Sequence, residues 1–217
     1  MIQEPPVASA PPIASAPAAQ EDWILKADVM QRLDFPALFS NANPVEIELG
    51  AGDGSFLIQR ALAAPERNFL GVERLLGRLR KVDRKARRAQ LTNVRCLRVE
   101  ASYVLEWMIP AGGITALHLY FPDPWPKRRH WKRRLVNEDF ARVAHVALAP
   151  QGLVLLRTDH AGYFEAMESA FGSHAGFERV PTPPELPPLL TDFEREFHAR
   201  GIPTHHAAYR RLPTQVL

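Results

Sequence analysis

The chain has 217 residues, 46% of them apolar and 24% charged, with a formal net charge of +3. This is the make-up of a globular chain long enough to bury a sizeable core. One cysteine, Cys96, excludes an internal disulfide and any cysteine-based zinc cluster, and no apolar run approaches the length that crosses a bilayer.

Residues 1–20 are Pro, Ala and Ser with almost nothing to bury, and they predict a disordered tail. No Lys or Arg precedes Lys26, so neither a secretory signal nor a transit peptide is read there, and a cytoplasmic location is expected. Residues 21–217 are read as one domain. Glu21 to Ser40 predicts an amphipathic helix, or two short ones, interrupted at Pro36. Asn41 to Pro44 is a turn.

Val45-Glu46-Ile47-Glu48-Leu49 is β-prone and runs into Gly50-Ala51-Gly52-Asp53-Gly54-Ser55, after which Phe56 to Ala64 takes helical spacing. Strand, glycine turn and helix form the first unit of a dinucleotide-type α/β sheet. The spacing is GxGxG, where a nicotinamide-binding loop has GxGxxG. Glu48 at the strand end repels a pyrophosphate and attracts an ammonium or sulfonium. NAD is therefore disfavoured and S-adenosylmethionine favoured.

Asn68 to Glu73 is a second strand ending in an acid, placed where a carboxylate binds ribose hydroxyls. Arg74 to Arg88 predicts a helix with Leu75, Leu76, Leu79, Val82 and Ala86 inward. Its many cations read either as a solvated face or as a surface that tracks phosphates. Val94 to Ala101 is a third strand containing Glu100, followed by a short helix from Ser102 to Met108. Ile114 to Tyr120 is a fourth strand, in which His118 is read as a satisfied buried residue. Beyond it, Pro122 and Pro124 hold Asp123 in a rigid corner. Lys127, Arg128, Arg129, His130, Trp131, Lys132, Arg133 and Arg134 follow. Ligands sit outside the carboxyl ends of strands in such sheets, so Glu48, Glu73, Glu100 and Asp123 are expected on one edge.

Asn137 is read as the N-cap of a helix over Glu138 to Ala149, Gly152 to Arg157 as a fifth strand, and Tyr163 to Phe171 as another helix. Thr191 and Glu194 form a capping box. Gly201 to Leu212 predicts a last strand or hairpin that ends the sheet antiparallel. His205 and His206 lack ligand-spaced partners, and no metal is expected.

Several of these stretches together resemble the tRNA (guanine-N7-)-methyltransferase family. They are Glu48 to Gly54, Gly71 to Arg74, Phe121 to Arg134, Arg157 to Asp159 and Thr191 to Glu194, in the family's order. The resemblance implies a Rossmann-like class I methyltransferase fold. It implies a mostly parallel sheet of about seven strands with helices on both faces and an antiparallel strand near the C-terminus. It implies S-adenosylmethionine as cofactor, held by Glu48, Gly50, Gly52, Gly54, Glu73, Glu100 and Asp123, with Asp123 also catalytic. Lys127, Asp159, Thr191, Asp192, Phe193 and Glu194 would hold the guanosine. Arg129, His130, Trp131, Lys132, Arg133 and Arg134 would contact tRNA, the implied partner, at the guanosine at position 46 of the variable loop. The chain departs from the family at Glu100, usually Asp or Asn, and in a Pro/Ala segment where an Arg-containing one often stands. Asp-Pro-Trp-Pro also resembles the loop of enzymes that methylate exocyclic amines. That reading, and a non-catalytic RNA-binding protein, are the alternatives.

Overall fold

In the computed structural model, which describes residues 23–213, the Val-, Ile- and Leu-rich runs between glycine and proline turns become strands. Eight strands form one sheet: β1 (Ile24–Leu25), β2 (Val45–Leu49), β3 (Asn68–Val72), β4 (Val94–Leu97), β5 (Ile114–Tyr120), β6 (Leu148–Thr158), β7 (Phe177–Val180) and β8 (His205–Arg211). Their spatial order is β1-β4-β3-β2-β5-β6-β8-β7. The first six pair in parallel; β8 runs antiparallel between β6 and β7. The connecting helices are α1 (Phe35–Phe39), α2 (Ser55–Ala63), α3 (Leu76–Arg88), α4 (Ala101–Tyr103), α5 (Glu138–Ala147), α6 (Ala161–Gly172) and α7 (Asp192–Ala199). A π-helical turn, Val104–Met108, continues α4, and a 3-10 helix spans Arg128–Arg133.

Alternation along the strands decides the two faces. Ile47 and Leu49 of β2 share a core with Leu70, Leu117, Phe140, Tyr163 and Phe171, so α5 and α6 cover that face. The other face carries α2 and α3, through Leu57, Ala61, Leu79 and Val82 packed on Phe69 and Cys96. Strand order reverses at β2, which has β3 on one side and β5 on the other. The carboxyl ends of β2 and β5 flank the opening where an open α/β sheet binds ligands.

The structure departs from the sequence expectations at three places. Within Glu21 to Ser40 the described residues form β1 and only the five-residue α1. Backbone pairing wins there: Trp23 O accepts from Cys96 N at 2.6 Å, and the Trp23 indole donates to Leu91 O at 3.0 Å, closing the open edge of β4. Pro36 does not interrupt α1 but lies in its first turn, where a missing N–H is harmless, behind an Asp34 cap that accepts from Ala37 N. β7, like β1, was not expected; the resulting eight-stranded sheet keeps the expected mostly parallel order of about seven strands with an antiparallel strand near the C-terminus. The tail over residues 1–20 lies outside the described residues.

Candidate active site

The loop after β2 turns through three left-handed glycines, Gly50 (φ +75°), Gly52 (φ +56°) and Gly54 (φ +77°). Two of them have separate reasons to lack a side chain. A Cβ on Gly54 would lie 2.9 Å from Val82 of α3, so the loop and helix touch. A Cβ on Gly50 would meet nothing within 4 Å, which leaves the backbone bare toward open space.

That space is a cleft of ≈ 750 Å³ along the carboxyl ends of the strands. Gly50, Glu73, Glu100, Asp123, Arg133 and Phe193 are among its walls, contributed by six different segments. The acids differ in what they do. Glu73 is buried and accepts from Gly52 N at 3.2 Å and Leu75 N at 2.8 Å, so it pins the glycine loop to the start of α3. Glu100 caps α4, accepting from Ser102 N at 2.9 Å and Tyr103 N at 3.1 Å. Asp123 is exposed and makes no hydrogen bond or ion pair among the described residues.

Glu48 lies beside the cleft-lining Leu49 and Gly50 and is 3% exposed. Its Oε2 has no hydrogen-bond partner among the described residues. Burial pushes its carboxyl well above the ordinary carboxylate range, and nearby Arg157 offsets this only in part. A buried acceptor without a partner, next to an acid-lined cleft, suits a cationic ligand. These residues therefore fit a cofactor that carries an ammonium and a sulfonium.

The corner that carries Asp123 is held from both sides. Phe121 (φ +51°) and Trp125 (φ +42°) adopt left-handed backbone just before Pro122 and Pro126, a strained pair that surrounding contacts must fix. Phe121 N donates to Arg157 O at 2.8 Å, and its ring packs on Phe197 of α7 at 5.5 Å. Arg134 donates to Pro124 O at 2.8 Å and lies between the rings of Trp131 and Tyr163, 4.7 Å from each. Arg133 lies 5.0 Å over Trp125, and His130 meets the same ring edge-on.

A model of the Methyltransf_4 family, described as "Putative methyltransferase", matches residues 42–210. A tRNA (guanine-N(7)-)-methyltransferase of Syntrophotalea carbinolica is 39% identical over 184 residues, covering 83% of this chain and 79% of the relative. One from Halorhodospira halophila is 36% identical over 195 residues, 86% and 84% of the two chains. The chain belongs to the tRNA (guanine-N7-)-methyltransferase family. Among solved structures, the 16S rRNA methyltransferase KamB aligns with a TM-score of 0.61 at 19% identity, over 82% of this chain and 93% of KamB. TrmN from Thermus thermophilus aligns at 0.57 and 17%, over 82% and 47%. These two show the fold, that of class I methyltransferases.

Within this tRNA (guanine-N7-)-methyltransferase fold the expected residues fall into groups. Gly50, Glu73, Glu100, Asp123, Phe193, Arg133 and Arg134 line the cleft; Glu48, Gly52 and Gly54 form the loop and strand end beneath and beside it. Lys127, Arg129 and Lys132 are exposed along the 3-10 segment, with the ring of Trp131 47% exposed among them. Arg134 faces inward and is 7% exposed. Thr191 caps α7, accepting from Glu194 N at 3.0 Å. Glu194 is fully buried and accepts from Arg157 Nη1 at 2.7 Å and pairs with His206 Nε2 at 2.9 Å. Asp192 and Phe193 stay exposed at the helix start, and Asp159 is half-buried at the end of β6.

Three structural groups escaped the sequence reading. Glu46, on the same face of β2 as Glu48, is buried and holds Arg60 at 2.9 Å, Arg67 at 3.2 Å and His118 Nε2 at 2.9 Å. Burial alone would raise its carboxyl, but His118 and Arg60 outweigh that and hold it at about 2. His118 Nδ1 meets Tyr120 Oη at 2.8 Å; burial outweighs the pull of Glu46 and lowers the imidazole below its ordinary value. The neutral Nε2–H tautomer satisfies both contacts. Lys85 of α3 reaches Asp53 and Ser55, tying that helix to the glycine loop. Arg157 also donates to Leu186 O and Leu189 O at 2.7 and 2.8 Å, anchoring the proline-rich segment before α7. The Val-Glu-Ile-Glu-Leu alternation did signal two acids on one face. Nothing in it told which one is paired.

Proposed function

We propose that this chain transfers a methyl group from S-adenosylmethionine to N7 of guanosine in tRNA, at position 46 of the variable loop. The observation that carries the proposal is the contrast among the cleft acids. Glu73 and Glu100 are engaged by backbone amides, whereas Asp123, on a proline-fixed corner, has no hydrogen-bond or ion-pair partner among the described residues.

When bound, S-adenosylmethionine supplies a methyl group on a positively charged sulfur, and guanine N7 takes it on its lone pair without losing a proton. No general base is required. The protein's contribution is positioning and electrostatic support. Glu48 would hold a cationic part of the cofactor, Glu73 its ribose hydroxyls, and Glu100 its adenine. Gly50, Gly52 and Gly54 let the backbone approach it closely. Asp123 is placed to accept hydrogen bonds from the guanine N1 and N2 groups and to stabilise the positive charge that arrives on the ring. Lys127, Asp159, Thr191, Asp192 and Phe193 would hold the guanosine; of these, Phe193 lines the cleft. Phe193, 47% exposed on the cleft wall, offers a face on which a base can stack. Glu194 and Arg134 act through others: one fixes α7, the other the carbonyl next to Asp123. Arg129, His130, Trp131, Lys132 and Arg133 lead out of the cleft and hold the RNA backbone.

Substitution at Asp123 tests this. Asp123→Ala should abolish methyl transfer while the thermal midpoint stays within a few degrees of wild type, because Asp123 makes no hydrogen bond or ion pair among the described residues. Asp123→Asn keeps an acceptor and removes the charge; activity closer to wild type than to Asp123→Ala would assign orientation as the main role. Near-normal turnover in both variants would remove Asp123 from the mechanism.

A further inference from the structure

The cations of this chain are not spread evenly. Seven of the 27 Lys and Arg lie in α3 and six more in residues 127–134; the remaining fourteen are outnumbered by the 23 carboxylates outside those two segments. The protein therefore presents two basic elements on an otherwise acidic chain.

Within α3 the seven cations divide into two sets. Three are held against the body of the protein. Arg78 lies 3.7 Å from Glu73, Lys85 pairs with Asp53, and Arg87 pairs with Asp83 and lies 4.4 Å over the Trp23 ring. The other four, Arg80, Lys81, Arg84 and Arg88, are exposed and have no carboxylate partner among the described residues. At 3.6 residues per turn these four fall within an arc of about 100°, opposite the buried Leu79, Val82 and Ala86. They span about 12 Å of helix. The arc carries no apolar side chain to insert into a membrane or fill an apolar groove.

The helix is also fixed relative to the cleft. Arg74, Leu75 and Arg78 at its start line the cleft wall; Lys85 and the Val82–Gly54 contact lock it to the glycine loop. The row of free cations therefore extends from the cleft on the side of Glu73, while the 3-10 segment leaves it on the side of Asp123.

We infer that the outer face of α3 is a second RNA-binding surface. Arg80, Lys81, Arg84 and Arg88 contact backbone phosphates of the tRNA outside the nucleotide in the cleft. The inference rests on the tRNA substrate proposed above. Two basic elements on either side of one cleft hold a large folded polyanion at two places, which fixes its orientation as well as its affinity.

The test is a four-fold variant, Arg80→Gln, Lys81→Gln, Arg84→Gln and Arg88→Gln, compared with wild type and with Arg129→Gln, Lys132→Gln and Arg133→Gln together. Affinity for an unmodified tRNA transcript is measured over a series of salt concentrations. Affinity for S-adenosylmethionine and thermal unfolding serve as fold controls. The α3 variant should bind tRNA at least tenfold more weakly near 0.1 M salt. Its plot of log affinity against log salt should flatten by about 3 to 3.6, since each of the four lost phosphate contacts removes roughly 0.7 to 0.9 from the slope. Cofactor affinity and the unfolding midpoint should not change. An α3 variant with wild-type tRNA affinity and slope, while the 127–134 variant loses both, would overturn the inference and leave the tRNA methyltransferase reading standing. A wild-type protein that binds tRNA but places no methyl group on it would count against that reading, and the effect of the α3 variant on binding would still decide the inference. A wild-type protein with no tRNA affinity overturns both.

Discussion

Glu48 is the residue at which fold stability and ligand binding pull apart. Its folded-state carboxyl is raised above its ordinary value by burial, so it contributes stability at low pH that is lost as pH rises through the folded value. At neutral pH the group therefore destabilises the free protein. Glu48→Gln should raise the thermal midpoint of the free protein by a few degrees at pH 7 and weaken S-adenosylmethionine binding at least tenfold, about 1.4 kcal/mol. Thermal unfolding with and without cofactor checks both. A variant less stable than wild type, with unchanged cofactor affinity, would assign Glu48 to structure alone. Its strand neighbour Glu46 has the opposite sign, being held at about 2 by His118 and Arg60. The sequence alternation placed both acids on one face. Their different fates depend on Arg60 of α2, on Arg67 just before β3 and on His118 of β5, contacts that only the folded sheet creates.

At the scale of elements, Arg157 ties α7 to the sheet beside the Glu194–His206 pair and the Phe121–Phe197 contact. Arg157, 1% exposed, binds Glu194 and the carbonyls of Leu186 and Leu189, and its guanidinium lies 4.3 Å over the Tyr120 ring. Removing one partner of a buried pair leaves the other charge uncompensated. Arg157→Ala should cost about 3–5 kcal/mol in urea-induced unfolding. The milder Glu194→Gln should fold, yet raise the KM for tRNA more than it lowers kcat, because α7 carries Asp192 and Phe193. A Glu194→Gln enzyme with both constants unchanged would contradict this role. The strands around the cleft were legible because β2, β3 and β5 are apolar runs that each end in a turn or an acid. β1 was not, since its pairing partner lies some seventy residues away in β4. Nor was β7: Phe177-Glu178-Arg179-Val180 has two charged residues in four and becomes a strand only through β8. Thr191 was read correctly as a cap, but the expected box is only half formed: the Glu194 carboxylate goes instead to Arg157, 37 residues away, and to His206.

For the whole molecule, the depressed carboxylates set the acid limit. Glu46 and Glu194 both have folded values below their ordinary ones, Glu46 at about 2. Their stabilisation is complete above about pH 4.5 and is lost as pH falls toward 2. Neutral buried His118, with its folded value lowered, adds a loss that begins once the unfolded imidazole protonates, below about pH 6.5. The unfolding midpoint should therefore decline below about pH 6.5, offset in part by protonation of Glu48, and steepen below 4.5. Glu46→Gln should flatten the steeper part, whereas an unchanged profile would show that other groups control acid unfolding. The same fold directs a free carboxylate, an aromatic wall and two cationic elements toward one cleft at the point where strand order reverses. That arrangement makes one chemical claim: methyl transfer to a guanine ring nitrogen in tRNA. Incubation with labelled S-adenosylmethionine and unmodified tRNA, followed by digestion and nucleoside analysis, tests it most directly. The expected result is label in 7-methylguanosine alone, mapping to a single position in the variable loop; label on an exocyclic amine, or none, would contradict it.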